Sequence, residues 1–224
     1  MRHVPFLNSK YQIDVRGDAD QSVFAEIFSL REYAPVEPTI KTAKRGILDV
    51  GAHKGYFVLY ARALNASVPI YAYEPEEQNF RALKEHVAVN RVEGVTAKNA
   101  ALAGEEGTVI LNVSEDSHNH SLVVDPGMMK RQKVSATTLE KVLQKMGGCD
   151  LIKMDVEGAE FQILAVAGPL AWEVPEYFLE YHEYGPTMRA SDLKVLFEKQ
   201  GYTVKLIPSK YDKRMGFLWA TRVF

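Results

Sequence analysis

Two segments about a hundred residues apart, one from Ile47 to Phe57 and one from Leu151 to Glu160, organise the chain, each opening on an apolar run. Each reads as a buried strand that runs into acidic and glycine residues and then into helical spacing. Around them strand and helix patterns alternate. A strand over 46–50 precedes a helix with Phe57, Tyr60, Ala61 and Leu64 on one face, and a strand over 70–73 ends at Glu74-Pro75. Pro75, Glu76 and Glu77 suit a helix start, because Pro lacks a donor that would be unsatisfied there and carboxylates favour the positive end of the dipole. That helix would bury Phe80, Leu83 and Val87. Strands over 95–99 and 108–113 follow, and Thr137 with Glu140 reads as a capping box for a helix lined by Leu139, Val142, Leu143 and Met146.

After Gly147-Gly148 the pattern gives a strand over 150–154, a helix over 157–166, a strand over 177–181, a helix over 191–200, and strands over 203–207 and 217–221. Before residue 46, residues 1–17 read as extended or irregular. Residues 22–32 read as a helix with Val23, Ile27 and Leu30 on one face, broken afterwards by Pro35 and Pro38. The expected architecture is α/β: a seven-stranded, mainly parallel sheet with helices on both faces and an antiparallel edge pair. Residues 1–45 would be an N-terminal extension or helical cap, and residues 46–224 the main domain.

Composition narrows the partners. Among 224 residues, 27 Lys and Arg nearly balance 29 Asp and Glu, so no strong field draws nucleic acid or an anionic membrane. The runs Lys130-Arg131-Gln132-Lys133 and Lys210 to Arg214 read as solvated loops. The single Cys149 cannot form an internal disulfide and reads as a buried packing residue. The N-terminus lacks a signal-peptide core and no stretch reaches bilayer length, so the chain reads as soluble and cytoplasmic. No heptad or exposed apolar helix speaks to oligomeric state.

In an open parallel sheet the two acidic strand ends would face one crevice. Gly51 and Gly55 frame a strand-to-helix turn that lets backbone approach a ligand, without the G-x-G-x-x-G spacing that cradles a pyrophosphate. Glu74, 19 positions past Gly55, stands where a carboxylate can accept bonds from both hydroxyls of a ribose. Asp49 could receive a positively charged part of the ligand. Singly, each residue has an equally good structural explanation; in this order they favour a nucleoside ligand.

The stretches from Asp49 to Phe57, Tyr73-Glu74-Pro75, Asn99-Ala100-Ala101-Leu102 and, most specifically, Ile152-Lys153-Met154-Asp155-Val156-Glu157-Gly158-Ala159-Glu160 resemble the motifs of the FkbM family of S-adenosylmethionine-dependent methyltransferases. Val23 to Tyr33 is similar to the helix that often precedes that family's catalytic domain. The resemblance implies the Rossmann-like class I methyltransferase fold. It implies S-adenosylmethionine held by Asp49, Gly51, Ala52, His53, Gly55, Tyr56 and Phe57, with Glu74 and Pro75 at the ribose and Asn99 and Ala100 near the adenine. His53 departs from the small polar residue, such as Asn, more usual there. O-methylation of a small molecule or glycan is the implied reaction.

An acceptor hydroxyl must lose its proton, which a carboxylate, histidine or bound cation near the transfer point would assist. Asp155 and Glu157 just past one strand end, and Glu180 and His182 two apart on the next strand, are the candidate catalytic residues. Asp155, Glu180 and His182 are candidate ligands for a divalent cation such as magnesium, while Glu160 reads as a helix-start carboxylate. Lys153 and His120 are candidate substrate contacts. His118 and His120 lack a third ligand at a recognisable spacing, so a polar loop is favoured over a metal site there. His86 has only a surface reading. The rival functions are a nicotinamide-dependent oxidoreductase on a related fold and a noncatalytic cofactor-binding scaffold.

Overall fold

A computed structural model of the chain describes residues 2–6, 9–113, 120–123, 130–184, 188–210 and 212–223. It opens on an antiparallel hairpin of β1 (Arg2–Phe6) and β2 (Ser9–Ile13) where the pattern gave only extended chain. α1 (Gly17–Phe24) then loosens into a π-helical turn over Ala25–Ser29. That wider winding, seen in the Leu30 N–H to Ala25 carbonyl bond, turns Leu30 off the expected face and leaves it 61% exposed. Pro35 and Pro38 start helices instead of ending one: Pro35 opens a 3-10 turn at Ala34–Val36 and Pro38 opens α2 (Glu37–Thr42).

The main sheet follows with β3 (Ile47–Val50), α3 (Tyr56–Leu64), β4 (Ile70–Tyr73), α4 (Glu77–Val89) and β5 (Val95–Lys98). Next come a small sheet of β6 (Ala101–Leu102), β7 (Gly107–Val113) and β8 (Lys130–Thr137), and then α5 (Leu139–Met146). The chain returns through β9 (Leu151–Met154), α6 (Glu160–Ala165), β10 (Glu176–His182), α7 (Ala190–Lys199), β11 (Thr203–Pro208) and β12 (Met215–Thr221). The main sheet has the order β11-β12-β10-β9-β3-β4-β5. Both of its antiparallel ladders belong to β12, which slots between β10 and β11.

Two cores cover the two faces. Leu48, Val50, Ile152 and Met154 point to one, with α5, α6 and α7; Ile47 and Leu151 point to the other, with α3 and the N-terminal segment. Sandwiched between sheet and N-terminal segment, α3 buries every residue from Tyr56 to Ala61, a wider face than an amphipathic stripe. Phe6 stacks on Tyr60 at 4.9 Å, and the Tyr60 hydroxyl donates to the buried Glu37 carboxylate.

His86 is no surface residue: it is 1% exposed, accepts the Asp14 N–H at Nε2 (2.8 Å) and has Nδ1 2.7 Å from the Lys54 carbonyl. That pattern requires the neutral ring with its proton on Nδ1, in keeping with burial lowering its pKa. The basic run at 130–133 is strand, not loop. Only Val134 of β8 is buried, so hydropathy carried no strand signal. The α5 cap is Thr138, one residue later than the capping-box pattern placed it; Glu140 instead accepts the Leu170 N–H. No helix among the described residues is long and apolar enough to cross a membrane.

β3 is the switch point of the sheet, with β4 and β5 to one side and β9 and β10 to the other. At its end Gly51 adopts φ +75°, and a Cβ there would lie 1.7 Å from the Asp155 carbonyl oxygen. Gly51→Ala is therefore expected to cost more than about 4 kcal/mol in urea unfolding, beyond ordinary surface changes. Gly147→Ala, also at positive φ but with nothing within 4 Å of the added carbon, is expected to cost only about 1–2 kcal/mol.

Candidate active site

The crevice at the switch point begins with the turn after β3. The N–H groups of Gly51 and Ala52 both donate to the Tyr73 carbonyl at 3.0 Å, and Gly55 starts α3 at φ +80°. His53 lies at φ +50°, a backbone region in which His, like Asn, is enriched among non-glycine residues. This conformation aims the His53 N–H at Glu74 Oε2 (2.8 Å), while the Glu76 N–H donates to Oε1 (2.9 Å). Glu74 is thus fixed at the end of β4, 5% exposed, with burial pushing its carboxyl up to about 7. Each oxygen retains acceptor capacity for a further donor.

Beneath the turn lies a buried ion pair. Asp49 on β3 and Lys153 on β9 are direct cross-strand partners. Lys153 Nζ sits 3.1 Å from Asp49 Oδ1, donates to the Gly51 carbonyl at 2.6 Å and lies 4.0 Å from Asp155 Oδ2. Burial works to lower the Lys153 pKa, but the carboxylates of Asp49 and Asp155 outweigh it and hold the ammonium charged. Asp49 itself is completely buried.

The other end of the crevice is acidic. Asp155 and Glu157 follow β9, and Glu180 and His182 end β10. Glu157 lies at φ +52°; its carbonyl accepts Ser121 Oγ (2.6 Å) and its Oε2 accepts the Tyr184 hydroxyl (3.0 Å). His182 Nδ1 lies 3.3 Å from Oε1 of the buried Glu160, and Nε2 lies 3.4 Å from Glu157 Oε2. Burial pushes Glu157 up to about 7 against the pull of His182. It drives Glu180 well above the carboxylate range, helped by Asp155. For His182 burial lowers the pKa, but Glu160, Glu157 and Glu180 outweigh it and raise it to about 10. One donor atom each from Asp155, Glu157 and His182 lie within 4.8 Å of one another.

A single cavity of about 330 Å³ joins the two ends, at the lower end of the range for small-molecule sites. Gly51, Ala52, His53, Tyr56, Phe57, Glu74 and Pro75 line it at one end; Lys153, Asp155, Glu157, Glu180 and His120 line it at the other. The remaining sequence candidates stand behind the wall. Asp49 reaches the cavity only through Lys153. Gly55 packs against Leu83, where a Cβ would come within 2.9 Å of Cγ. Asn99 Nδ2 ties the strand ends together by donating to the carbonyls of Glu74 and Pro75. Ala101 and Leu102 line the wall where Asn99 and Ala100 were expected, and His182 backs Glu157.

The wall also contains residues that sequence reasoning did not single out: Glu26, Ile27, Glu32 and Tyr33 from the N-terminal segment, and Leu111 and Leu122 from the small sheet and its loop. Burial, with Glu26 and Asp155 nearby, raises Glu32 to about 7. Glu160 proves to be more than a helix-start carboxylate: it accepts the Val156 N–H at 3.2 Å and also faces His182. His118 lies outside the described residues.

Comparison with known proteins bears on the family and the fold. The methyltransferase FkbM domain profile matches residues 49–204. The methyltransferase sdnD of Sordaria araneosa is 25% identical over 191 residues, 70% of this chain and 73% of that protein. Methyltransferase 1 of Beauveria bassiana (strain ARSEF 2860) is 24% identical over 150 residues, 57% of this chain and 60% of that protein. Among solved structures, a precorrin-6y C5,15-methyltransferase from Geobacter metallireducens GS-15 superposes with a TM-score of 0.53 at 14% identity, covering 95% of this chain and all of that one. The fold is the class I methyltransferase fold.

The buried pair gives a prediction about stability alone. Lys153→Met leaves Asp49 as an uncompensated buried carboxylate, expected to cost about 3–5 kcal/mol in denaturant unfolding. The double change Asp49→Asn with Lys153→Met removes that charge and is expected to recover most of the loss. Equal stability of the single and double variants would show that the pair is not the compensating contact.

Proposed function

The chain belongs to the FkbM methyltransferase family, and from that premise we propose that it transfers the methyl group of S-adenosylmethionine to a hydroxyl of a small molecule or glycan. The observation that carries this reading is the joining of the Glu74 end and the Asp155–Glu157–Glu180 end in one cavity. The residues fit such a cofactor. Glu74 faces the cavity with spare acceptor capacity for ribose hydroxyls. Ala101, Leu102 and Leu111 offer an apolar wall suited to a base, and the turn at 51–56 brings backbone to the ligand with no pyrophosphate loop.

When bound, S-adenosylmethionine supplies an electrophilic methyl on a sulfonium, which leaves as a neutral thioether. The protein's share is to bind, orient and deprotonate. In-line transfer rewards placement of the acceptor oxygen more than any covalent step. Glu157 is the proposed general base: its carboxyl, raised to about 7, is partly ionised at neutral pH and near the value at which proton transfer is efficient. Tyr184 and Ser121 hold it in place, from Oε2 and from the backbone carbonyl. Tyr33 and Ile27 cover the cavity from the N-terminal segment and exclude water. Lys153 keeps the floor from becoming uniformly negative, and His120 stands at the acceptor side.

Calorimetric titration of the purified chain with S-adenosylhomocysteine tests the cofactor end. Saturable binding is expected, weakened at least roughly tenfold by Glu74→Ala, with no comparable binding of NAD. The affinity should depend on pH with a defined sign. Ribose hydroxyls donate to an ionised Glu74, and burial places its carboxyl at about 7. Affinity should therefore fall as pH drops through 7, by roughly tenfold between pH 8 and 6, and Glu74→Gln should flatten that dependence. Binding of NAD alone would instead favour the oxidoreductase reading. Conversion of hydroxyl acceptors to methyl ethers tests the reaction itself.

A further inference from the structure

We propose that Asp155, Glu157 and His182 form a divalent-cation site at the acceptor end of the cavity, suited to magnesium or manganese. The first observation is geometric: one donor atom from each residue lies within 4.8 Å of the others. His182 Nε2 stands 3.4 Å from Glu157 Oε2. That is longer than the 2.7–2.9 Å of a charge-assisted hydrogen bond. It is close to the edge of a coordination polyhedron whose ligands stand about 2.1–2.3 Å from an ion.

The second observation is independent of the acidic residues. His182 is 2% exposed, yet its Nε2 has no hydrogen-bond partner and points toward Glu157. Its other nitrogen faces Glu160 Oε1 at 3.3 Å, and Glu160 is wholly buried and steadied by the Val156 N–H. A carboxylate on Nδ1 holds one ring proton there, so a cation that displaces the proton from Nε2 meets an imidazole oriented as metal-ligating histidines are. A buried nitrogen without a bond is costly unless something pairs with it.

The surroundings have the charge to match. Glu26, Glu32 and Glu180 also line the cavity, as does Lys153, 4.0 Å from Asp155 Oδ2. Two carboxylates and one imidazole form a mixed oxygen and nitrogen set that leaves further positions for water or an acceptor oxygen, as a hard or intermediate ion requires. The ion's role in catalysis rests on the methyl-transfer reading; the site does not. In that role a hydroxyl bound at the site gives up its proton more readily, and the uncoordinated oxygen of Glu157 receives it. The oxygen lone pair then forms the O–CH₃ bond as the C–S pair returns to sulfur.

The test uses the full chain, stripped with EDTA and titrated with Mn²⁺ by electron paramagnetic resonance and calorimetry, followed by thermal unfolding and S-adenosylhomocysteine titration of the same samples. Wild type is expected to bind one Mn²⁺ saturably and to unfold at higher temperature with it. Asp155→Asn and His182→Gln should weaken Mn²⁺ at least tenfold, and Glu160→Gln, which removes no ligand, by roughly ten- to a hundredfold. Absence of saturable Mn²⁺ binding by folded wild type overturns the site, as does wild-type affinity in folded Asp155→Asn. If His182→Gln does not fold, the wild-type titration, its unfolding shift and Asp155→Asn still decide. A chain that binds S-adenosylhomocysteine but shows no saturable Mn²⁺ binding sinks the cation site alone; one that binds Mn²⁺ but never S-adenosylhomocysteine sinks the methyl-transfer reading alone.

Discussion

The buried contact between Asp49 and Lys153 sets the geometry from which the rest of the site is built. Parallel pairing of β3 with β9 puts these two residues opposite each other on one face, and the sheet buries both almost completely. A lone carboxylate there would be prohibitive, whereas a matched pair is close to neutral in net stability. What the pair contributes is position. Lys153 also donates to the Gly51 carbonyl, so the ends of the two central strands are locked side by side. There Gly51 and Asp155 pass so closely that no side chain fits between them.

Above that floor, the N-terminal segment completes the cavity through α3. The Tyr56 hydroxyl donates to the Asp14 carbonyl at 2.7 Å, Lys54 pairs with the buried Asp20, and His86 bridges Asp14 to Lys54. These contacts are polar, directional and buried, so they fix a register that apolar packing alone would leave looser. Their consequence is that Glu26, Glu32 and Tyr33 line the same cavity as Asp155 and Glu180. The acidity of the acceptor end is therefore a property of the assembled fold, shared between segments more than a hundred residues apart.

The parts of this arrangement legible in the sequence are those in which local pattern and tertiary demand coincide. Parallel strands buried on both faces read as apolar runs, so β3, β4 and β9 were visible within a residue, and Glu74 was visible as the acid closing β4. β8 was not, because an exposed strand on a small sheet needs no apolar alternation. Pro35 and Pro38 were read as breaks because sequence alone does not tell a proline that ends a helix from one that begins the next. His86 reads in the sequence as a surface residue, and His182 stands there between base and ligand, for a deeper reason. Whether an imidazole is solvated, bridging or ligating depends on carboxylates and carbonyls brought to it by other elements, and nothing near it in sequence records them.

The segment Asp155-Val156-Glu157-Gly158-Ala159-Glu160 carried the most information for a related reason: almost every position in it answers a separate demand. Asp155 ends β9 where its carbonyl meets Gly51. Glu157 accepts a left-handed backbone, at a cost of about 1–2 kcal/mol, that sets its carbonyl against Ser121 and its carboxylate against Tyr184. Gly158 continues at φ +95°, where a Cβ would lie 2.7 Å from the Tyr184 ring. Ala159 is fully buried, and Glu160 accepts the Val156 N–H while facing His182. The backbone strain at Glu157 is retained because three neighbours hold it: Ser121 at its carbonyl, and Tyr184 and His182 at its carboxylate. A residue fixed in this way against the cost of a left-handed backbone is arranged for chemistry, and it lines the cavity.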